Sequence, residues 1–172
     1  MKLIITVLFL LSSWITNAAT VSIDSPSSDI RFGGLGNTLN IIDGADIMMD
    51  TGGYSIAISG FEHVINISGG ILQGGVNFSG FDHEVNITGG VINGDIFGNG
   101  FRNIFNFVGY DLVLESNNIT GFLQDGSSID LNIRGPNQIN ITNLSVPEPF
   151  LVVLLLLGLT GVFAYRKKLY IK

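Results

Sequence analysis

Two histidines occupy the same position in a repeated segment, and an acidic residue precedes each of them. His63 follows Glu62, and His83 follows Asp82 twenty residues later. If the repeats stack as neighbouring strands, the two imidazoles lie about 4.8 Å apart, and imidazole and carboxylate are good ligands for transition metals. The neighbouring copies hold asparagine at this position: Asn37 and Asn103. Since structural metal sites usually need four dedicated ligands, we favour a solvated turn that accepts either His or Asn, and we predict no metal.

Asparagine forms a second repeated position, inside an alternating apolar pattern. Its four members are Asn40, Asn66, Asn86 and Asn106. Stacked amides can hydrogen-bond to one another along an axis, as they do in cross-β ladders, so we predict a structural role for this column. Several asparagines also match the N-glycosylation acceptor pattern, and we expect most of them to be unmodified. The matching residues are Asn66, Asn77, Asn86, Asn118, Asn140 and Asn143.

The chain contains no recognisable catalytic constellation. It has no nucleophile elbow, phosphate-binding loop or zinc-binding helix motif. The sites of enzymes built on parallel β-helices resemble clusters of Asp with Lys or Arg on one sheet. Here the arginines between residues 20 and 146 do not share a repeat position: Arg31, Arg102 and Arg134. We therefore predict neither catalytic residues nor a cofactor. A carbohydrate-active β-helix enzyme, a polysaccharide lyase or hydrolase, is the alternative, because a glycosidase needs only two carboxylates.

Composition and charge narrow the class of protein further. Residues 20–146 contain 13 acidic and 3 basic residues and no lysine, which makes nucleic acid an unfavourable partner. The chain has no cysteine, so stability must come from packing and backbone hydrogen bonds instead of disulfides. Its 23 glycines, together with many Asn, Ile, Val and Phe residues, are typical of strands and turns.

The segments that contain these residues repeat every 20 residues, which is the separation between His63 and His83. A Gly-Phe pair opens successive copies at Gly60, Gly80 and Gly100, and each copy continues into alternating apolar and polar residues. An earlier copy begins at Gly34, where the longer distance to Gly60 indicates an insertion, and a degenerate copy begins at Gly121. A fixed period in this range is typical of solenoids, and the alternation is typical of half-buried strands.

We therefore predict an all-β fold, a short parallel β-helix or solenoid of about five coils over residues 34–145. Because open ends need capping, residues 20–33 are the predicted N-terminal cap and residues 135–145 the C-terminal one. The degenerate copy should add its strand at residues 130–133. The phenylalanines after the repeat glycines should stack as an aromatic column: Phe61, Phe81, Phe101 and Phe122. An antiparallel β-sandwich is the alternative fold, although it would not require a strict repeat.

The segment over residues 1–19 has the organisation of a secretory signal peptide. Lys2 supplies the positive charge, residues 3–11 form an apolar segment too short to span a bilayer, and polar and small residues follow. We predict a signal helix that is removed by cleavage after Ala18 or Ala19.

The segment over residues 146–172 combines three features in a fixed order. A corner comes first, in which each proline fixes φ and removes a backbone donor: Val146, Pro147, Glu148 and Pro149. An uncharged run over residues 150–165 follows, and we predict a transmembrane helix of about 24 Å there, slightly shorter than the hydrocarbon core. A basic cluster then sets the orientation by the positive-inside rule: Arg166, Lys167 and Lys168.

Together, the Val-Pro-Glu-Pro corner, the apolar helix and the basic stop resemble the PEP-CTERM sorting signal of Gram-negative bacteria. The resemblance covers residues 146–172. It implies recognition by exosortase, a membrane-embedded, transpeptidase-like protease with a cysteine nucleophile, in bacteria that make exopolysaccharide. It also implies a precursor anchored in the inner membrane and a final location at the cell surface, in the outer membrane or in the extracellular matrix.

From these features we predict an exported surface or matrix protein whose β-solenoid body is structural or adhesive and is not an enzyme. The expected partners are exosortase, the secretion translocon, the membrane before processing, and exopolysaccharide. Nucleic acid is not an expected partner. A plain single-span membrane protein, with no exosortase involved, is a further alternative.

Overall fold

A computed structural model of the chain describes residues 18–135 and 137–145. This part of the chain is all-β: strands contain 71% of the described residues, and no helix occurs among them. The predicted all-β class is therefore confirmed. The predicted signal helix before residue 18 and the sorting tail after residue 145 lie outside the described residues. Within the described ranges, no helix has the length and apolar character needed to cross a membrane.

Hydrogen bonds join the strands of the described ranges into one curled, open sheet. In chain order the strands are β1 (Thr20–Ile23), β2 (Pro26–Ser27), β3 (Ile30–Leu35), β4 (Thr38–Ile41), β5 (Asp46–Ile47), β6 (Tyr54–Phe61), β7 (Val64–Leu72), β8 (Gly75–Phe81), β9 (Glu84–Ile92), β10 (Ile96–Phe101), β11 (Asn103–Glu115), β12 (Asn118–Leu123), β13 (Ser128–Arg134) and β14 (Asn137–Asn143). The short strands β2 and β5 pair with each other beside β7.

The curled sheet contains two rows of parallel strands. The first row consists of β1, β4, β7, β9, β11 and β14, paired in that order. The second row consists of β3, β6, β8 and β10, also paired in order. Strands β12 and β13 connect the rows, because β12 pairs with β11 and β13 pairs with β10. The rows share one core, in which Phe78 of the second row meets Phe105 of the first edge-on, with ring centroids 5.4 Å apart.

The strand register follows the sequence repeat. In the first row, Ile65 lies opposite Val85, and Ile67 lies opposite Ile87. In the second row, Ser59, Gly60 and Phe61 lie opposite Ser79, Gly80 and Phe81. Residues that the sequence repeat aligns therefore form columns that cross the strands. The repeat in sequence is a repeat of parallel strand pairing.

Alternate residues of each strand fill the core between the rows. In β9, Val85 and Ile87 are fully buried, whereas Glu84 is exposed and Asn86 is half-buried. This follows from the two-residue period of side chains along a strand. Each square ångström of apolar surface removed from water contributes roughly 25 cal/mol, and the chain has no cysteine to add covalent cross-links.

A column of glycines sets how closely the strands of the second row approach. Gly60, Gly80 and Gly100 lie opposite one another near the ends of β6, β8 and β10. A Cβ atom on any of the three would come closer than 3.0 Å to the carbonyl oxygen of the glycine opposite it in the preceding strand, which for Gly60 is Gly34. Gly60 and Gly80 also have φ values of 125° and 132°, which other residues rarely adopt. We refer to this column as the glycine corner.

The chain turns out of the glycine corner through a polar residue in the left-handed conformation. Glu62, Asp82 and Arg102 follow the three phenylalanines and have φ values of 58°, 61° and 61°. A left-handed conformation costs a residue with a side chain about 1–2 kcal/mol. This cost recurs at the turns into β7, β9 and β11, whereas Gly36, with a φ of 67°, makes the turn into β4.

The degenerate copy at Gly121 does not continue the columns. Its Phe122 is followed by Leu123, which is buried in strand β12 instead of turning the chain at a left-handed corner. An apolar side chain at this position favours the core. Strand β11 instead extends to Glu115 and pairs antiparallel with β12, which pairs antiparallel with β13. The predicted strand at residues 130–133 is present within β13, but it does not join the asparagine column, and its Ile133 instead extends the second row by pairing with Ile96.

Both predicted caps contain strands that extend the rows. Within residues 20–33, β1 pairs with β4 and β3 pairs with β6. Within residues 135–145, β14 pairs with β11 and places Asn140 opposite Asn106, 34 positions earlier in the chain. The fixed period of the sequence repeat does not predict this strand, because β12 and β13 lie between β11 and β14 in the chain. The strands of both predicted caps are thus also members of the rows.

Replacing Gly80 by alanine should destabilise the protein strongly, because the new Cβ would overlap the Gly60 carbonyl oxygen. Overpacking of this kind costs about 1–3 kcal/mol, and a left-handed alanine adds about 1–2 kcal/mol. Gly126→Ala is the matched control, since Gly126 has a φ of 89° but no atom lies within 4 Å of its added Cβ. Urea titrations give the free energy of unfolding. Equal losses in the two variants would contradict the close approach.

Candidate functional site

The predicted processing residues lie at the two ends of the chain. The sorting residues all lie outside the described ranges, and their role stays a prediction: Val146, Pro147, Glu148, Pro149, Arg166, Lys167 and Lys168. Ala18 and Ala19 are exposed and directly precede β1. The Ala19 N–H donates a hydrogen bond of 2.8 Å to Oδ1 of Asn37. Cleavage after Ala18 or Ala19 would therefore leave β1 complete.

The two histidines are buried beside the glycine corner, so the expectation of a solvated turn is wrong. Both side chains are 0% exposed, and their rings stack with centroids 5.2 Å apart and 5° between the planes. Nδ1 of His63 lies 3.1 Å from the N–H of Asn37, and Nδ1 of His83 lies 3.3 Å from the N–H of His63. Each imidazole accepts a hydrogen bond from the preceding repeat and so ties two repeats together.

Asparagine can replace histidine in this column because both side chains offer an acceptor and a donor in similar places. Oδ1 of Asn103 accepts the N–H of His83 at 3.1 Å, as Nδ1 of histidine does elsewhere. Nδ2 of Asn37 donates to the Gly33 carbonyl at 2.9 Å, four residues earlier in the chain. Nε2 of His63 lies 3.2 Å from the Ser59 carbonyl, at the same separation in sequence. The exchange of His for Asn reflects shared hydrogen-bond geometry and not exposure to solvent.

These contacts require the neutral form of histidine. Because Nδ1 accepts a backbone N–H, the proton of each neutral ring belongs on Nε2, where it meets a carbonyl oxygen. A second proton on Nδ1 would face another N–H. Burial lowers the pKa of His83 below its usual 6.5, and this effect outweighs the hydrogen bond to the Ser79 carbonyl, which acts in the opposite direction.

The asparagine column forms the predicted amide ladder, and the ladder is longer than the repeat indicates. At each step, Nδ2 of one asparagine donates to Oδ1 of the asparagine in the preceding strand of the row, at 2.8–3.0 Å. The four predicted residues form three such steps: Asn40, Asn66, Asn86 and Asn106. Asn140 in β14 adds a further step, with a bond of 2.8 Å to Asn106. Ser22 in β1 ends the ladder, since its hydroxyl accepts from Asn40 at 3.2 Å. The Asn-Ile-Thr triplet at residues 140–142 was the sequence signal for the missed step.

Three phenylalanines form an exposed aromatic column outside the glycine corner. The rings of Phe61 and Phe81 stack with centroids 5.5 Å apart, and those of Phe81 and Phe101 with centroids 5.7 Å apart. Their exposed fractions are 49%, 36% and 63% in chain order. Leu35 continues the column in β3. The predicted fourth member, Phe122, lies instead in the antiparallel strand β12. The predicted column is therefore confirmed for three of its four residues.

A shallow polar surface borders the aromatic column on the outside of the second row. Two residues before each phenylalanine, the strands carry Ser59, Ser79 and Asn99 in register. The serines line a depression together with Arg31 and Asn77. Oδ1 of Asn77 is a buried acceptor without a hydrogen-bond partner in the described part of the chain. We refer to the aromatic column and these five polar residues together as the outer face.

The left-handed corner next to the outer face carries an ion pair. Arg102 donates to both carboxylate oxygens of Asp82, at 2.6 and 2.5 Å. This hydrogen bonding lowers the pKa of the Asp82 carboxyl. Because Arg102 is mostly exposed, the pair adds little to stability. Over residues 18–135 and 137–145, no group of three or more His, Cys, Asp or Glu side chains is arranged to hold a metal ion.

Comparison with known proteins adds no family. No protein-family model, curated protein or solved structure matches this chain.

Acidification should destabilise the protein as the pH falls below about 6.5, before most carboxyl groups titrate. The folded-state pKa of His83 lies below its unfolded value of about 6.5, so the unfolded chain takes up a proton that the folded chain excludes. Stability is then present above the unfolded pKa and falls as the pH falls. The measurement is the melting temperature by circular dichroism across this range.

The control for this prediction is the variant His83→Asn, which removes the group whose lowered pKa causes the expected loss. Asparagine preserves the acceptor and the donor of the column, as Asn37 does. The variant should lose much less stability over the same range, because carboxyl groups titrate mainly near pH 4. Parallel pH profiles for the two proteins would refute the role of His83.

Proposed function

We propose that this chain is an exported bacterial surface or matrix protein whose repeat body is a short β-solenoid with a structural and adhesive role. The observation that carries the proposal is the outer face, where one aromatic and one polar position recur on successive parallel strands. Repetition turns a single exposed residue into an extended surface. Such a surface suits a long, repetitive partner better than a small molecule.

Parallel pairing of consecutive repeats supports the solenoid description. Each repeat contributes one strand to each row, as β7 and β8 do, and the next repeat adds β9 and β10 directly alongside. In a solenoid each repeat contacts mainly its neighbours, so the columns are a consequence of stacking. The antiparallel pair β12 and β13 departs from this pattern near one end of the rows.

The chemistry of the outer face fits a polysaccharide. The C–H faces of sugar rings are apolar and can pack against exposed aromatic rings such as Phe61 and Phe81. Sugar hydroxyls can form hydrogen bonds with the hydroxyl groups of Ser59 and Ser79, which line the depression. Since residues 20–146 carry 13 acidic and 3 basic residues, a neutral polysaccharide is favoured over an acidic one. Exopolysaccharide is the proposed partner.

Export and sorting rest on the two ends of the chain. The signal peptide directs the chain to the translocon, and the tail over residues 146–172 holds the precursor in the membrane until exosortase acts on it. The described body begins at the predicted cleavage positions and ends one residue before Val146. Both processing events would therefore leave the strands intact and deliver the body to the cell surface or the matrix.

Removing two rings of the aromatic column should weaken polysaccharide binding. Phe61→Ala/Phe81→Ala should lower affinity for the exopolysaccharide of the host bacterium by about 5-fold to 100-fold, because each aromatic contact contributes roughly 0.5–1.5 kcal/mol. Phe122→Ala is the matched control, since Phe122 is 50% exposed and lies outside the column. Binding is measured by sedimentation of the full chain with the polysaccharide.

Two results would count against the adhesive role. One is an equal loss of binding in the Phe122→Ala control. The other is release of reducing or unsaturated sugar ends by the wild-type chain, which would establish the enzyme alternative.

Disrupting the Pro-Glu-Pro corner should block tail processing. Glu148→Ala/Pro149→Ala should accumulate as a full-length, membrane-bound precursor, whereas the wild-type chain should lose the segment after the corner. Ser145→Ala, immediately before the motif, is the control and should be processed normally. Mass spectrometry of the C-terminal peptide gives the answer, and an intact C-terminus in the mature wild-type protein would overturn the exosortase proposal.

A further inference from the structure

The first row ends in two strands that each have one unpaired edge in the described part of the chain. Within it, β1 pairs only with β4, and β14 pairs only with β11. An edge strand presents a series of free N–H and C=O groups that can pair with another strand. The two edges lie at opposite ends of the same row.

The core columns also stop abruptly at these edges. One column begins at Val21 and ends at Ile139, and the next begins at Ile23 and ends at Ile141. Members inside the row are fully buried, with exposed fractions of 0–1%: Leu39, Ile41, Ile65, Ile67, Val85, Ile87, Phe105 and Phe107. By contrast, Val21 is 39% exposed, and the other three terminal residues are only partly buried. Each end leaves apolar surface that a further strand would cover.

The amide ladder between these columns has a direction. Every Nδ2 donates toward β1, so the ladder reaches β14 with the oxygen of Asn140 and reaches β1 with the hydroxyl of Ser22. Oδ1 of Asn140 already accepts one bond, from Gln138 at 3.1 Å, and a carbonyl oxygen can accept two. The Ser22 hydroxyl accepts from Asn40 and keeps its own proton to donate. An acceptor at one end therefore matches a donor at the other.

We propose that copies of this chain stack head to tail, with β14 of one copy pairing in parallel with β1 of the next. In this register Asn140 lies opposite Ser22 of the next copy, Ile139 opposite its Val21, and Ile141 opposite its Ile23. The core columns and the ladder then continue across the junction. Because the two contacting surfaces differ, the contact does not close on itself and can produce a filament.

A second copy fits these ends better than an unrelated strand does. Strands β1 and β14 match in residue size, in apolar alternation and in hydrogen-bond direction, because the same columns run through both strands. Stacking would also bring Arg134 near Arg31 of the next copy at the ends of the second row. Each of these guanidinium groups already contacts a carboxylate, Asp95 at 3.0 Å and Asp50 at 2.9 Å respectively, which offsets their repulsion.

Cysteine cross-linking of the full chain in mild detergent tests the junction, because the wild-type chain has no cysteine. Ser22→Cys and Asn140→Cys proteins are purified separately, mixed and mildly oxidised. Paired residues of adjacent strands lie about 4.8 Å apart, within the range for a disulfide. Within one chain the two positions are five ladder steps apart, about 24 Å, so only a contact between copies can join them.

The mixture should give about tenfold or more disulfide dimer than Ser22→Cys mixed with Asn66→Cys, whose position is inside the row. Adding Ile141→Lys to the Asn140→Cys chain should abolish the dimer, since the charge would enter the junction. Thr142→Lys, on the exposed neighbouring position, should leave it unchanged. This readout is independent of polysaccharide binding and of tail processing.

Three results would overturn head-to-tail stacking. The first is a dimer yield no higher than that of the Asn66→Cys mixture. The second is Ser22→Cys alone cross-linking as efficiently as the mixture, which would indicate a symmetric contact. The third is a yield that Ile141→Lys does not change while circular dichroism shows that the variant is folded.

Discussion

Close approach of backbones at the glycine corner is the constraint on which the rest of this structure depends. Gly60, Gly80 and Gly100 leave no space for a side chain between neighbouring strands. Once these residues are in line, every position before and after them is held in register by the spacing of the strands. The aromatic column, the serines of the outer face and the buried histidines are consequences of that one alignment.

The histidine column supplies the hydrogen-bond acceptors that the buried backbone beside the glycine corner needs. A turn buried against the core leaves backbone N–H groups that must find acceptors. His63, His83 and Asn103 each supply one acceptor to the preceding repeat. An apolar residue here would leave a buried donor unpaired, at a cost of about 1–3 kcal/mol. Nε2 of both histidines also meets a carbonyl oxygen, whereas Nδ2 of Asn103 has no hydrogen-bond partner in the described part of the chain.

The same repetition determines what the surface can do. A column exposes one residue type at intervals of about one strand spacing, so the outer face is a linear array that includes a shallow depression. Linear arrays suit partners that are themselves linear and repetitive, such as a polysaccharide. Repetition also determines the ends of the rows, because the last strand of a stack of similar strands exposes a surface like those buried inside the stack.

The sequence by itself determined the all-β class, the alternation of buried and exposed residues, and the alignment of the Gly, Phe and Asn positions. These properties depend on local spacing, which the regular repeat displays directly. The export and sorting signals were also read from local composition, and they stay predictions.

Only the tertiary structure decided which strands lie side by side beyond the regular repeats. Leu123 enters the core where a left-handed polar residue would have turned the chain, so β12 and β13 pair antiparallel and Asn140 joins the ladder 34 residues after Asn106. Tertiary structure also decided that His63 and His83 are buried. The physical reason is the same in both cases: the exposure and pairing of a residue depend on the strand that covers it, and that strand can be distant in sequence.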